Sequence, residues 1–287
     1  MKLTRNGANQ GIFPELRGSI KGLRWPCFAE IKYDGEATLI AYKKHSLSQI
    51  TADAPPEILT TNKYGTRRTE WSKLDKIAEI LDEHDIDEAV LLAELYYGFG
   101  LKGALYQLLK SKEDDGLNLT IFDIGHIRGP GKQMDGALTP LIDRKELLGE
   151  IFENNVFLPT LRMVNNEREA IDYFNQVKAN GYEGIVLKSL DGFLVQGPCN
   201  WVKLKDKDRT IYPVLSIDPV KERIEIAVPN PNPPVAGKQW AQQIAVGVKV
   251  VNRFKKNLGV GDQVEIEHQG VLASGSLRHP VYIRKVR

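Results

Sequence analysis

Cys27-Phe28-Ala29-Glu30-Ile31-Lys32-Tyr33-Asp34-Gly35-Glu36-Ala37-Thr38-Leu39-Ile40-Ala41-Tyr42 reads as two alternating stretches around a break at Asp34-Gly35. That pattern predicts two strands joined by a tight turn. It leaves Lys32 at a strand end against a glycine, where backbone and a bound molecule can approach closely. A lysine attacks only as the free amine, and its ordinary pKa is about 10.4. Cationic or apolar neighbours must lower that value before it can act near neutrality. By itself so short a stretch reads as an ordinary hairpin turn.

Outward from this segment, apolar residues recur at helical spacing over 71–83, 101–110, 141–152 and 167–178, with Asn180-Gly181 as a stop for the last. Short β-rich runs lie between them at 90–95, 119–124 and 184–188. Mixed strands and helices over the first 204 residues predict one α+β domain. Beyond Leu204 the character changes. Lys205-Asp206-Lys207-Asp208-Arg209 carries no apolar residue and reads as a hinge or linker. After it, strands are predicted at 214–217, 223–228, 243–251, 263–268 and 281–286, with a proline-rich loop at 229–234 that cannot be a central strand. About five strands in so short a segment match the size and texture of an OB-fold barrel, a common nucleic-acid platform.

Composition narrows the function classes. The chain has 287 residues, is 42% hydrophobic, and has no apolar run near the roughly 18 residues of a membrane span. The N-terminal Met-Lys-Leu-Thr-Arg-Asn-Gly has no apolar stretch after it, so no secretory signal, no membrane association and a cytoplasmic location are expected. Cys27 and Cys199, in no metal-binding spacing, are expected to be free thiols. The net charge of +2 hides an asymmetry: residues 201–287 hold 15 Lys/Arg against 8 Asp/Glu, whereas the rest of the chain is net acidic. The C-terminal part is therefore expected to meet a polyanion.

Further chemistry-bearing segments follow Lys32 in a definite order: Ala93-Glu94-Leu95, Phe122-Asp123-Ile124, Glu183-Gly184-Ile185-Val186-Leu187-Lys188 and Trp201-Val202-Lys203-Leu204-Lys205. In the last, two lysines two residues apart face the same side of a strand. Such like charges need an anion between them, and they are candidates for the cationic neighbours that would lower the pKa of Lys32. Taken together, the five segments resemble the covalent nucleotidyltransferases, and within them the small ATP-dependent DNA ligases of the bacteriophage type. The resemblance covers nearly the whole chain. It implies an α+β fold, with a nucleotidyltransferase (ATP-grasp-like adenylation) domain at 1–204 followed by an all-β OB-fold domain at 205–287. It also implies a monomer that seals nicked double-stranded DNA in replication or repair. Lysine takes AMP from ATP, AMP moves to the 5′-phosphate of the nick, and the 3′-hydroxyl displaces it.

Carried over by position, the resemblance implies Lys32 as the nucleophile and Glu30, with the adjoining Ile31 and with Lys188, as part of the nucleotide site. Glu94 would accept from the ribose and lie near a metal, Phe122 would stack on adenine, and Glu183 would bind Mg²⁺ or Mn²⁺. Lys203 and Lys205 would neutralise the α-phosphate, and Asp34 would either shape its turn or help position metal and nucleophile. Lys63 would take a phosphate or nucleotide contact. Lys63, Arg67, Arg68, Arg209, Lys255, Lys256 and Arg278 are the expected DNA contacts, and Arg284, Lys285 and Arg287 are candidates for orienting the pyrophosphate. Each residue alone has a plainer reading: Phe122 as core, Glu94 as a solvated strand end, Glu183-Gly184 as a turn, Lys203/Lys205 as a basic hinge.

The chain departs from the family in three places. Ala37 stands where DNA ligases carry an arginine, Lys63 where they often carry another, and Leu92 where an aspartate is common. An RNA ligase, a GTP-dependent capping guanylyltransferase and a non-catalytic OB nucleic-acid-binding protein are therefore the alternatives. Gly129-Pro130-Gly131-Lys132 is not a P-loop, because the earlier glycine falls at His126 and Gln133 replaces Ser/Thr.

Overall fold

A computed structural model describes residues 14–44, 56–62, 65–66, 72–97, 117–153, 157–194, 197–205, 207–230, 243–250, 258–272 and 274–286. The chain divides into two compact units, Met1–Lys205 and Asp206–Arg287.

The first unit holds two five-stranded sheets. One has the order β1 (Pro14–Arg17), β10 (Gly197–Lys205), β9 (Gly184–Ser189), β2 (Cys27–Lys32), β8 (Leu161–Val164). The other has the order β4 (Glu57–Asn62), β3 (Glu36–Lys43), β5 (Glu88–Tyr97), β6 (Leu117–Gly129), β7 (Lys132–Asp135). Alternation sends Cys27, Ala29, Ile185, Leu187 and Val202 outward under α3 (Glu167–Ala179), where they pack on Ala170, Tyr173 and Val177. On the second sheet Ile40, Leu91, Ala93, Leu119 and Ile121 face α1 (Ser72–Glu83) and α2 (Leu141–Ile151), packing on Leu74, Ile77, Leu81, Leu148 and Ile151. The two inner faces meet through Leu39, Val90, Leu92, Leu194 and Trp201. Each sheet is thus sandwiched between helices and its partner, which explains why its central strands are apolar on both faces.

The caps follow the sequence. Asn166 accepts from the Glu169 amide at the start of α3, and Gly181, with φ +86°, takes the left-handed position after its end. The helices expected at 71–83, 141–152 and 167–178 are present, while the one expected at 101–110 lies outside the described residues.

One expectation is corrected. The strands flanking Asp34-Gly35 do not form a hairpin: β2 pairs with β8 and β9, whereas β3 pairs with β4 and β5. The turn is a crossover between sheets, because each strand finds its ladder with strands distant in the chain. The boundary between the two units falls within the charge run 205–209, whose ends are strand. Lys205 ends β10, and Asp208 and Arg209 begin β11 (Asp208–Asp218), where cross-strand pairing to β14 (Gln263–His268) satisfies the backbone.

The second unit is one five-stranded antiparallel sheet, β13 (Gln243–Lys249), β12 (Arg223–Pro229), β11, β14, β15 (Val281–Lys285). The long β11 serves β14 with its first half and β12 with its second, and the outer strands β13 and β15 approach each other. Val214, Ile224, Ile226, Val246, Val248, Val264 and Ile266 fill the interior, as alternating strands of a small barrel require. Among the described residues no helix is long and apolar enough to cross a membrane.

Candidate active site

A cavity of about 230 Å³ lies between the two sheets of the first unit, lined by Glu30, Lys32, Glu94, Thr120, Phe122 and Lys188 among others. Its residues come from alternate positions of strands whose other positions build the cores. On β2, Glu30 and Lys32 face inward because Cys27 and Ala29 face α3. On β6, Thr120 and Phe122 face inward because Leu119 and Ile121 face the helices.

At one end, Lys32 and Lys205 both stand opposite Gly184 in register, on the two strands that flank β9. A side chain at Gly184 would collide with the carbonyl of Leu204, and its φ is +154°, so a glycine is needed for this close approach. The carboxylate of Glu183, one residue earlier, sits between the two cations. Lys32 Nζ donates to Oε2 at 2.5 Å and Lys205 Nζ to Oε1 at 3.3 Å. All three side chains are between 14 and 18% exposed, so the pairs are only weakly screened. Burial holds the Lys205 ammonium below the usual lysine range, with Lys32 and Lys203 adding to the effect and Glu183 opposing it. Lys203 lies on the same face of β10, two residues earlier. Two lysines on one carboxylate leave a net positive corner, which a phosphate would complete.

The deeper end is a second charge cluster. Lys188, 1% exposed, donates to Glu30 Oε2 at 2.5 Å and to the Phe122 carbonyl at 3.2 Å, and its ammonium lies 3.9 Å over the Trp201 ring. Burial pulls its pKa down to about 8, against the opposing pull of Glu30. Lys145 from α2 pairs with the other oxygen of Glu30 and donates to the Phe122 carbonyl at 2.7 Å. Phe122 and Trp201 meet edge to face, 6.1 Å between centroids, and form an apolar wall. Across from it, Glu94 Oε1 accepts from the Gly35 amide at 3.1 Å, which ties the Lys32 turn to β5. Asp34 is buried in that turn.

Glu30, Ile31, Lys32, Glu94, Phe122 and Lys188 therefore share one cavity, with Glu183 and Lys205 joined to it through Lys32 and Lys203 beside Lys205 on β10. Ala37 lines the cavity too, and Leu92 is buried in the apolar layer between the sheets. Lys63, Arg67, Arg68, Lys255, Lys256 and Arg287 lie outside the described residues. In the second unit, Arg209 and Lys207 both pair with Glu267, Arg284 pairs with Glu265 and Lys285 with Asp262. Arg278 is half-buried, its backbone bonded to Gln269 and Gly270.

Several site residues escaped sequence reading. Lys145 shares a predicted helix with Arg144, which is wholly buried on the Leu141/Leu148 face and pairs with buried Asp123. A charge at an apolar helical position was the available signal. Tyr33 stacks on Tyr96 at 4.2 Å and meets Tyr182 edge to face, so an aromatic cluster brackets Lys32, Glu94 and Glu183. Nothing in their spacing announces it.

The family described as ATP dependent DNA ligase domain matches residues 16–205. The DNA ligase of monkeypox virus is 24% identical over 188 residues, 62% of this chain and 31% of that protein, and the DNA ligase of vaccinia virus (strain Western Reserve) is 23% identical over the same shares. The chain thus spans about a third of the length of these relatives. Among solved structures, one from a structure-function analysis of Lig E DNA ligases superposes with a TM-score of 0.65 at 15% identity, covering 96% of this chain and 98% of the other. The ATP-dependent DNA ligase from bacteriophage T7, in complex with ATP, gives 0.51 at 14% identity, covering 96% and 99%. These likenesses show the fold, α+β, with a nucleotidyltransferase domain followed by an OB-fold domain. With the family model matching residues 16–205, well over half of the chain, the chain belongs to the family of the ATP-dependent DNA ligase domain.

Proposed function

We propose that the protein is an ATP-dependent DNA ligase that seals 5′-phosphate/3′-hydroxyl nicks through a lysyl-AMP intermediate. The observation that carries this reading is the Lys32–Glu183–Lys205 cluster at the end of an aromatic-walled cavity. Lys32 Nζ bonds to the α-phosphorus of ATP, the bond to pyrophosphate breaks, and Nζ gives up a proton for which Glu183 Oε2 is an acceptor at 2.5 Å. Lys205 and Lys203 stabilise charge that develops on the α-phosphate. The adenine stacks on Phe122, with Glu30, Ile31 and Lys188 around the base and Glu94 at the sugar. AMP then passes to the 5′-phosphate of the nick, and the 3′-hydroxyl expels it.

Among the described residues no group of three or more Asp, Glu, His or Cys side chains is arranged to hold a metal ion. Glu183 and Glu94 are the residues that would hold a divalent ion, and their carboxylate oxygens suit Mg²⁺ or Mn²⁺. The ion would supply Lewis-acid stabilisation of phosphate charge. The second unit, with its surplus of positive charge, contacts duplex phosphates. The working form is a monomer in the cytoplasm, a setting that fits the free, buried Cys27 thiol.

The test uses ATP, Mg²⁺ and a duplex with one 5′-phosphorylated nick. Sealing by the wild type and none by Lys32→Ala is expected. An AMP adduct without sealing of DNA, but with sealing of nicked RNA, would move the substrate to RNA. Absence of any adduct would refute the enzyme reading.

A further inference from the structure

Ala37, Glu94 and Thr120 stand side by side in register across β3, β5 and β6, and all three line the cavity. Ala37 offers only a methyl group. Glu94, as a carboxylate, can only accept. Thr120 is the third member and the unusual one. It is 2% exposed, and its Oγ1 is shielded from solvent with no hydrogen-bond partner among the described residues. A buried hydroxyl with nothing to bond is uncommon and unfavourable. A valine would fill the same space in a strand without that cost. The missing partner is therefore expected from whatever fills the cavity.

Position limits what that partner is. Thr120 lies directly opposite Glu94 and two residues from Phe122 on the same face of β6, a separation of about 6.8 Å along the strand. With a base stacked on Phe122, the group that reaches Glu94 and Thr120 together is the sugar. A ribose carries two adjacent hydroxyls, each able to donate and accept. An acceptor-only carboxylate beside a hydroxyl that does both is complementary to such a diol.

We propose that Thr120 is a specificity-determining residue that hydrogen-bonds a ribose hydroxyl of the nucleotide, so that with Glu94 it selects ribonucleotide over deoxyribonucleotide. The inference rests on reading the cavity as the ATP site.

The test measures lysyl-AMP formation by the full chain with ATP, 2′-dATP and 3′-dATP, for wild type, Thr120→Val and Thr120→Ser. Thr120→Val is expected to weaken ATP use by roughly three- to tenfold, the worth of one neutral hydrogen bond. It should leave unchanged the deoxynucleotide that lacks the contacted hydroxyl, and Thr120→Ser should restore ATP use. Ligand-free Thr120→Val should melt no lower than wild type, because it removes an unpaired buried group. An equal loss with all three nucleotides, or no loss with any, would overturn the proposal while leaving the ATP site standing. A wild type that forms no adduct with any of them would remove both.

Discussion

Replacing Arg144 with methionine tests how the Phe122 side of the cavity is held. Arg144 and Asp123 are both 0% exposed, and they meet as a two-pronged pair, Nε to Oδ1 at 2.6 Å and Nη2 to Oδ2 at 3.0 Å. Nη1 also donates to the carbonyls of Gly136 and Gly192, at 3.3 and 3.1 Å, and to that of Thr139. One side chain thus ties α2 to β6 and to the turns at 136–139 and 192. Methionine keeps much of the volume but strands a buried carboxylate, whose other hydrogen bond comes from the Ile124 amide. Removing one partner of such a pair costs about 3–5 kcal/mol. At a urea slope of about 2 kcal/mol/M, that lowers the unfolding midpoint by about 2 M.

The assay is urea unfolding of the full chain, followed by tryptophan fluorescence, of which Trp201 reports from the cavity wall. The double variant Arg144→Met, Asp123→Leu should recover at least about 2 kcal/mol of the loss, because apolar pairs of similar volume replace buried ion pairs with little or no penalty. A loss below about 1 kcal/mol for Arg144→Met would refute the reasoning, as would single effects that simply add in the double variant.

Two other substitutions probe the phosphate end and the buried lysine. Gly184→Ala should destabilise the first unit by about 1–3 kcal/mol and slow adduct formation at least tenfold, because the new Cβ meets the Leu204 carbonyl between Lys32 and Lys205; wild-type adduct rates in that variant would contradict the placement. Lys188, at about 8 in the folded chain, lies below its unfolded value of about 10.4. Between those values the unfolded chain binds the extra proton, so stability rises with pH across that window and is flat for this group below it. The melting temperature of wild type relative to Lys188→Met should therefore climb from about pH 8 to about pH 10, and a falling difference would show that the sign is wrong.

Much of this molecule can be read along the chain. The strands of the second unit follow period-two alternation and α1, α2 and α3 their apolar stripes, because one face of each must be buried, while central strands of the first unit show as short apolar runs because both faces are. Lys32, Glu94, Phe122, Glu183, Lys203 and Lys205 were legible as candidates because they lie in five short segments whose order resembles that of the ATP-dependent DNA ligases, and a local motif survives in sequence whatever surrounds it. The second unit was recognisable from strand count and charge alone.

What lay beyond the sequence is pairing. Alternation says that 27–32 and 36–43 are strands, but the tertiary structure decides that they join different sheets, because their ladders come from β9 and β5. Glu183 is 151 positions from Lys32 and becomes its partner only because β9 lies beside β2. The same long-range closure buries Arg144 on Asp123, brings Lys145 and Lys188 to one carboxylate, and leaves Thr120 in the cavity wall with a buried hydroxyl that has no bond among the described residues. Residue type and local periodicity are carried by neighbours in the chain. Desolvation, ion pairing and an unmet hydrogen bond arise from neighbours in space, and for those the folded structure is required.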